Sequence, residues 1–176
     1  MNVARLAIGG IIVSAIAAGI ALYYLQVYAY YDEITLQVED VQMTSLFTGE
    51  PEPIMFENDK AIDSDSSPLR FRACFDTSLS FGLLTETYEI YDTAEPLNAP
   101  SWFDCFHAET IGADLQSGVA VAFLGTEDIQ YGIDRVIAVY PDGRAYAWHQ
   151  INACGEVVFD GNPTPENCPP APERLQ

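Results

Sequence analysis

Ile133-Asp-Arg-Val-Ile-Ala-Val-Tyr-Pro-Asp-Gly-Arg-Ala-Tyr-Ala-Trp-His-Gln150 is the stretch from which the fold is read. Pro141-Asp142-Gly143 fits a type I turn followed by a glycine in the left-handed region, so Arg135–Tyr140 and Arg144–His149 are predicted to fold back on each other as a hairpin. With Tyr140 opposite Arg144, Ile137 and Val139 share a face with Ala145 and Ala147, and Val136 shares the other with Tyr146 and Trp148. Both faces are largely apolar, which places the hairpin in the middle of a sheet. Arg135 and His149 then fall opposite each other on the more buried face. They form a candidate polar site, read either as an acid–base pair or, more plainly, as a sheet end satisfied by hydrogen bonds.

Working outward, Leu69-Arg-Phe-Arg-Ala-Cys-Phe75 alternates, with Leu69, Phe71, Ala73 and Phe75 on one face, and predicts a half-buried strand. Glu156 to Phe159 is expected to add another strand, and Thr35 to Gln42 a further one. Val119 to Leu124 reads as a compact apolar strand. Ile111 to Gln116 is a helical stretch stopped by Gly118, and Ser101 is placed to cap a short helix through Trp102, Phe103, Cys105 and Phe106. Ser78 to Tyr91 fits helix or strand. Glu50-Pro-Glu-Pro53 and Asp63-Ser-Asp-Ser-Ser-Pro68 read as loops. The expected class is α+β: residues 32–160 form a mainly antiparallel-sheet domain with short helices, and residues 161–176, with five prolines, an extended strap.

Ahead of this domain, residues 1–31 contain Leu6 to Leu25, twenty residues without a charge. At 1.5 Å per residue this spans about 30 Å, the hydrocarbon thickness of a bilayer. Tyr23, Tyr24, Tyr28, Tyr30 and Tyr31 suit the headgroup belt, and Asp32 and Glu33 mark the exit into water. Arg5 lies on the short side, which places the N-terminus in the cytoplasm. The competing reading is a cleaved signal peptide at Ala15-Ile16-Ala17, but the apolar run continues well past that site. Gly10, Ser14 and Ala18 recur every fourth residue and form a candidate helix-packing face.

The four cysteines are Cys74, Cys105, Cys154 and Cys168. Beyond a membrane anchor an even count implies two disulfides in an oxidising compartment. Of the three connectivities, Cys74–Cys105 with Cys154–Cys168 is expected, the second pair tying the proline-rich tail down. The alternative is a metal site using Cys105, His107, His149 and a second cysteine. No Cys-x-x-Cys or His-x-x-x-His spacing accompanies it. Asp63-x-Asp65-x-Ser67 begins like a calcium loop, but Pro68 and Cys74 stand where glycine and glutamate are needed.

Charge is the unusual quantity. All 26 acidic residues but only six of the seven basic ones follow residue 31, a net charge of −20 for the domain. Nucleic acid would be repelled, and a basic protein or cations attracted. The same surface also reads simply as solubilising. The sequence lacks a Gly-x-Ser-x-Gly, a phosphate loop and a dinucleotide fingerprint, so no enzyme activity and no cofactor are expected.

Tyr23-Tyr-Leu-Gln-Val-Tyr-Ala29, Arg72-Ala-Cys-Phe75 after Asp65-Ser-Ser-Pro68, Trp102-Phe-Asp-Cys-Phe106 and Tyr131 to Gln150 together resemble an uncharacterised family of small alphaproteobacterial membrane-anchored proteins. The resemblance implies a bacterial inner membrane and a periplasmic domain, and no catalytic residues. A histidine kinase label attached to some members conflicts with this sequence, which lacks a nucleotide-binding motif. The functional expectation is a non-catalytic accessory or assembly subunit of an inner-membrane complex, of the respiratory, cytochrome-containing kind. Its anchor would bind an integral membrane protein within the lipid bilayer, and its acidic face a basic c-type cytochrome. The alternatives are a free-standing periplasmic binding or sensing module and a metal-handling assembly factor.

Overall fold

The structure is a computed structural model and describes residues 3–173, so the last residues of the expected strap, 174–176, lie outside the described residues. The chain divides between Asp32 and Glu33 into two compact units. The first is helix α1, Val3–Val27, which lacks proline and is long and apolar enough to cross a membrane, with a mean hydropathy of 2.2 over its most apolar window. Its 25 residues extend for about 37 Å. Gly10, Ser14 and Ala18 are exposed on it, and the Ser14 hydroxyl donates to the Ile11 carbonyl at 2.9 Å, so it needs no partner from lipid.

The second unit carries strands β1 (Asp32–Ile34, its first residue closing the first unit), β2 (Gln42–Thr44), β3 (Pro51–Pro53), β4 (Glu57–Asp63) and β5 (Arg72–Asp76), then helices α2 (Phe81–Thr87) and α3 (Ala108–Ser117). Strands β6 (Val121–Gln130), β7 (Ile133–Val139) and β8 (Arg144–Ile151) and helix α4 (Ala153–Phe159) complete it. Six strands form one sheet in the order β1-β4-β5-β8-β7-β6, and β2 and β3 form a separate hairpin. The β7–β8 hairpin lies inside the sheet, with Val139 opposite Ala145, Ile137 opposite Ala147, Val136 opposite Trp148 and Arg135 opposite His149. Gly143 adopts φ +92° at the turn, where its N–H donates to the Tyr140 carbonyl at 3.0 Å. Only glycine takes that backbone conformation without strain.

Each sheet face is covered by a different layer. On one, Phe71, Ala73, Phe75, Phe123, Ile137, Val139, Ala145 and Ala147 pack against Val41, Met43 and Ile54 of the β2–β3 region and Leu84 of α2. On the other, Phe106 meets the rings of Tyr146 and Trp148 edge-on, and the Tyr140 hydroxyl donates to Asp114 of α3 at 2.7 Å. Trp148 is fully buried. Both expected disulfides are present: Cys74–Cys105 closes a separation of 31 residues and Cys154–Cys168 one of 14.

Several local expectations are corrected. Glu156 to Phe159 is helical, because the Asn152 side chain accepts from the N–H groups of Cys154 and Gly155 at 3.1 and 3.0 Å and starts α4. Thr35 to Gln42 is not one strand. The Asp40 carboxylate accepts from the Gln37 N–H and draws Val38–Asp40 into a 3-10 turn, after which β2 begins. The segment after Ser101 forms single turns, with Phe103 and Phe106 N–H groups bonding three residues back. Strand β5 is buried on both faces, since the Arg72 side chain is capped by carbonyls of Leu97, Asn98, Leu69 and Phe71. Helix α3 runs longer than expected and ends on Gly118 in the left-handed region. Ser78 to Tyr91 resolves into α2, capped by Ser80, followed by extended bridges at Tyr88 and Ile90.

Candidate functional site

Arg135 and His149 meet as the pairing requires. The Arg135 Nε donates to His149 Nε2 at 2.9 Å. His149 Nδ1 lies 2.6 Å from the Pro68 carbonyl. A carbonyl only accepts, so Nδ1 carries the proton and Nε2 is the acceptor, which defines a neutral imidazole. Arg135 Nη1 reaches the Asp40 carbonyl at 2.8 Å and its carboxylate at 3.3 Å. The Phe71 ring lies under both groups, stacked on His149 with centroids 4.7 Å apart and 4.3 Å from the guanidinium carbon.

Burial, followed by the adjacent Arg135 charge, pulls the His149 pKa down to about 4. Protonating Nε2 would break its bond to Arg135 and set two cations in contact. Burial also lowers Arg135, with Asp40 opposing the shift, and raises Asp63 nearby. Both imidazole nitrogens of His149 and the Nε and Nη1 groups of Arg135 are bonded inside the protein. The arrangement works as a latch joining β7 and β8 to the Asp40 and Pro68 turns, and it leaves no open base for substrate.

A second polar hub went unread in the sequence. Asp134, the only buried acidic residue described, accepts from the Tyr91 hydroxyl (3.0 Å), the Asp128 N–H (3.0 Å) and Asn152 Nδ2 (2.8 Å). Asp128 adopts φ +46° and accepts from Gly132 N–H and Asn152. Burial and then Asp134 raise the Tyr91 pKa, and burial and then Asp134 raise Glu127. An aspartate beside an arginine in an otherwise apolar run was the available signal: neighbouring strand residues face opposite ways, so each needs its own partners. Beneath the hub Gly132 and Gly155 touch backbone to backbone, and a Cβ on Gly155 would collide with the Gly132 carbonyl.

The remaining candidates separate. Cys105 is spent in its disulfide and so is withdrawn from any site with the exposed His107, and no group of three potential metal ligands occurs among the described residues. The Asp63–Ser67 segment bonds to itself, Ser64 N–H to Asp63 and Ser64 hydroxyl to Ser66. A cleft of about 420 Å³ is lined by Leu69, Leu97, Ile151, Tyr91, Glu95 and Glu156.

Folding sharpens the charge imbalance. Arg72 and Arg135 are buried, and the exposed Arg144 pairs with Asp142 at 2.8 Å. Apart from Asp134, every acidic residue described is at least partly exposed. The outer surface is therefore more anionic than the net charge implies.

A family model described as a family of unknown function (DUF6446) matches residues 41–169. No curated protein and no solved structure matches the chain.

Proposed function

The chain belongs to that family of unknown function, and we propose from its own geometry that it is a non-catalytic, membrane-tethered interaction subunit. Helix α1 packs through Gly10, Ser14 and Ala18 against an integral membrane partner, because small residues allow close backbone approach. The domain stands in the periplasm of a bacterial inner membrane, a placement supported by its two disulfides, which persist in oxidising compartments. Its surface recruits a basic soluble protein, and a basic c-type cytochrome serving a respiratory complex has the right charge.

The carrying observation is the sorting of charge: Arg72 and Arg135 are buried and Arg144 is paired, while every described carboxylate except Asp134 lies at least partly outside. Such a surface raises the local concentration of a cationic partner and accelerates encounter. The test is titration of the full chain in nanodiscs of zwitterionic lipid with a basic cytochrome c at low and moderate ionic strength. Saturable binding that weakens as salt rises is expected, because screening sets in over a Debye length of about 8 Å at physiological ionic strength. Absence of binding at both would overturn the carrier role. A free-standing binding module is the second reading, favoured by the cleft between Leu97 and Ile151, where the Gln150 amide is consumed internally by Glu95 N–H and the Thr93 carbonyl.

A further inference from the structure

Four large apolar side chains stand exposed around the β2–β3 hairpin: Phe47 at 83%, Met55 at 72%, Leu46 at 56% and Leu83 at 49%. The tip is bonded to the end of α2, and the segment after β3 to the segment before α2. Leu46 N–H donates to the Thr87 carbonyl at 2.8 Å, and the Thr77 hydroxyl, just before α2, donates to the Met55 carbonyl at 2.9 Å.

The tip itself is braced. Gly49 N–H donates to the Ser45 carbonyl (2.8 Å) and Ser45 N–H to the Glu50 carbonyl (3.0 Å). Glu50 N–H donates to the Thr48 hydroxyl, which in turn donates to Glu52. Phe47 is thus presented on a preorganised loop, and docking it costs little further ordering. An aromatic in this setting has the properties of an interface anchor.

Charge specifies what covers it. Residues 6–59 and 73–134 contain no lysine or arginine, and they include the whole hairpin and α2. Glu50, Glu57, Glu86 and Glu89 are exposed along them. Arg144, beyond Thr77, is engaged by Asp142 and by the Tyr140 ring.

We propose that Leu46-Phe47 at the hairpin tip is the contact through which the chain grips its basic protein partner, Phe47 entering an apolar recess ringed by lysine or arginine. This rests on the recruitment reading above and adds the place and shape of contact. Carboxylates around the tip guide and orient the partner, and the apolar tip holds it against dissociation.

The test places the photo-cross-linker p-benzoylphenylalanine at position 47 of the full chain in its own membrane, with position 159 as control, since Phe159 is exposed on α4. A position-47-specific adduct to a protein, with lysine or arginine flanking the cross-linked peptide, is expected. Adducts to lipid, to a second copy of the chain or to a peptide without flanking cations would overturn the proposal, as would a yield no higher than at position 159. For the cross-linked protein once purified, Phe47→Ala should weaken binding roughly 30-fold, the scale of a hot-spot truncation; an unchanged affinity also overturns it. Failure here alongside salt-sensitive cytochrome binding would leave acidic recruitment standing and remove only the tip. A specific basic adduct without cytochrome binding would keep the tip and change the partner.

Discussion

His149 offers a direct measurement of how the latch couples folding to pH. Its folded pKa is about 4, against an ordinary value near 6.5 in the unfolded chain. Above pH 6.5 the imidazole is neutral in both states and adds no pH dependence. As pH falls below 6.5 the unfolded chain takes up a proton that the folded protein refuses, so stability is lost until about pH 4, where the folded form also titrates. The gap of roughly 2.5 units at 1.36 kcal/mol each amounts to about 3 kcal/mol. Other groups act oppositely: Asp63 and Glu127 are raised in the folded state, so they add stability as pH falls through their folded values. Protonating carboxylates also relieves the self-repulsion of an acidic surface. The comparison must therefore be with His149→Gln, whose amide keeps one donor and one acceptor but does not titrate. Urea unfolding of the full chain in detergent, followed by the fluorescence of buried Trp148, should give stability curves that diverge by about 3 kcal/mol between pH 7 and pH 4, the wild type losing more. Parallel curves would refute the latch as described.

Gly155→Ala should destabilise by about 3 kcal/mol, because its Cβ meets the Gly132 backbone rather than a yielding side chain; a lowered thermal midpoint and loss of α4 amide protection would report it. Replacing Cys154 and Cys168 with serine should cost about 3 kcal/mol and replacing Cys74 and Cys105 about 4 kcal/mol, the difference following the longer loop, as read by urea midpoints without reductant. If α1 packs against an integral membrane partner as proposed, changing Gly10, Ser14 and Ala18 to leucine should preserve membrane insertion but reduce that partner's co-purification in mild detergent.

The central hairpin was legible because Pro141-Asp142-Gly143 fixes its register locally, and register determines which residues meet across the strands. The two disulfides followed from cysteine count and spacing, and the Arg135–His149 meeting from the register. Pro51 and Pro53 hid the β2–β3 hairpin, since proline argues against a strand. Ladder bonds join Ser45 to Glu50 and Val41 to Ile54, so by alternation both prolines occupy positions whose missing N–H would point to the open edge. Helix α4 was hidden by the β-branched run Val157-Val158, while its deciding signal, the Asn152 cap, lay outside the stretch being weighed. The Asp134 hub draws partners from residues 91, 128 and 152, a long-range convergence with no local periodicity.

Burying Arg72 and Arg135 has an effect on crowds of this molecule as well as on one copy. Many copies anchored through α1, as proposed, would give a bilayer a dense anionic lawn on the side where the domains stand. Neighbouring domains repel within a few Debye lengths and spread laterally, opposing clustering among like copies. The negative potential concentrates mobile cations in the intervening water, protons among them, so its pH falls below bulk. A polyvalent cationic protein entering that layer displaces many small ions at once, gaining their entropy, and can bridge copies that would otherwise keep apart.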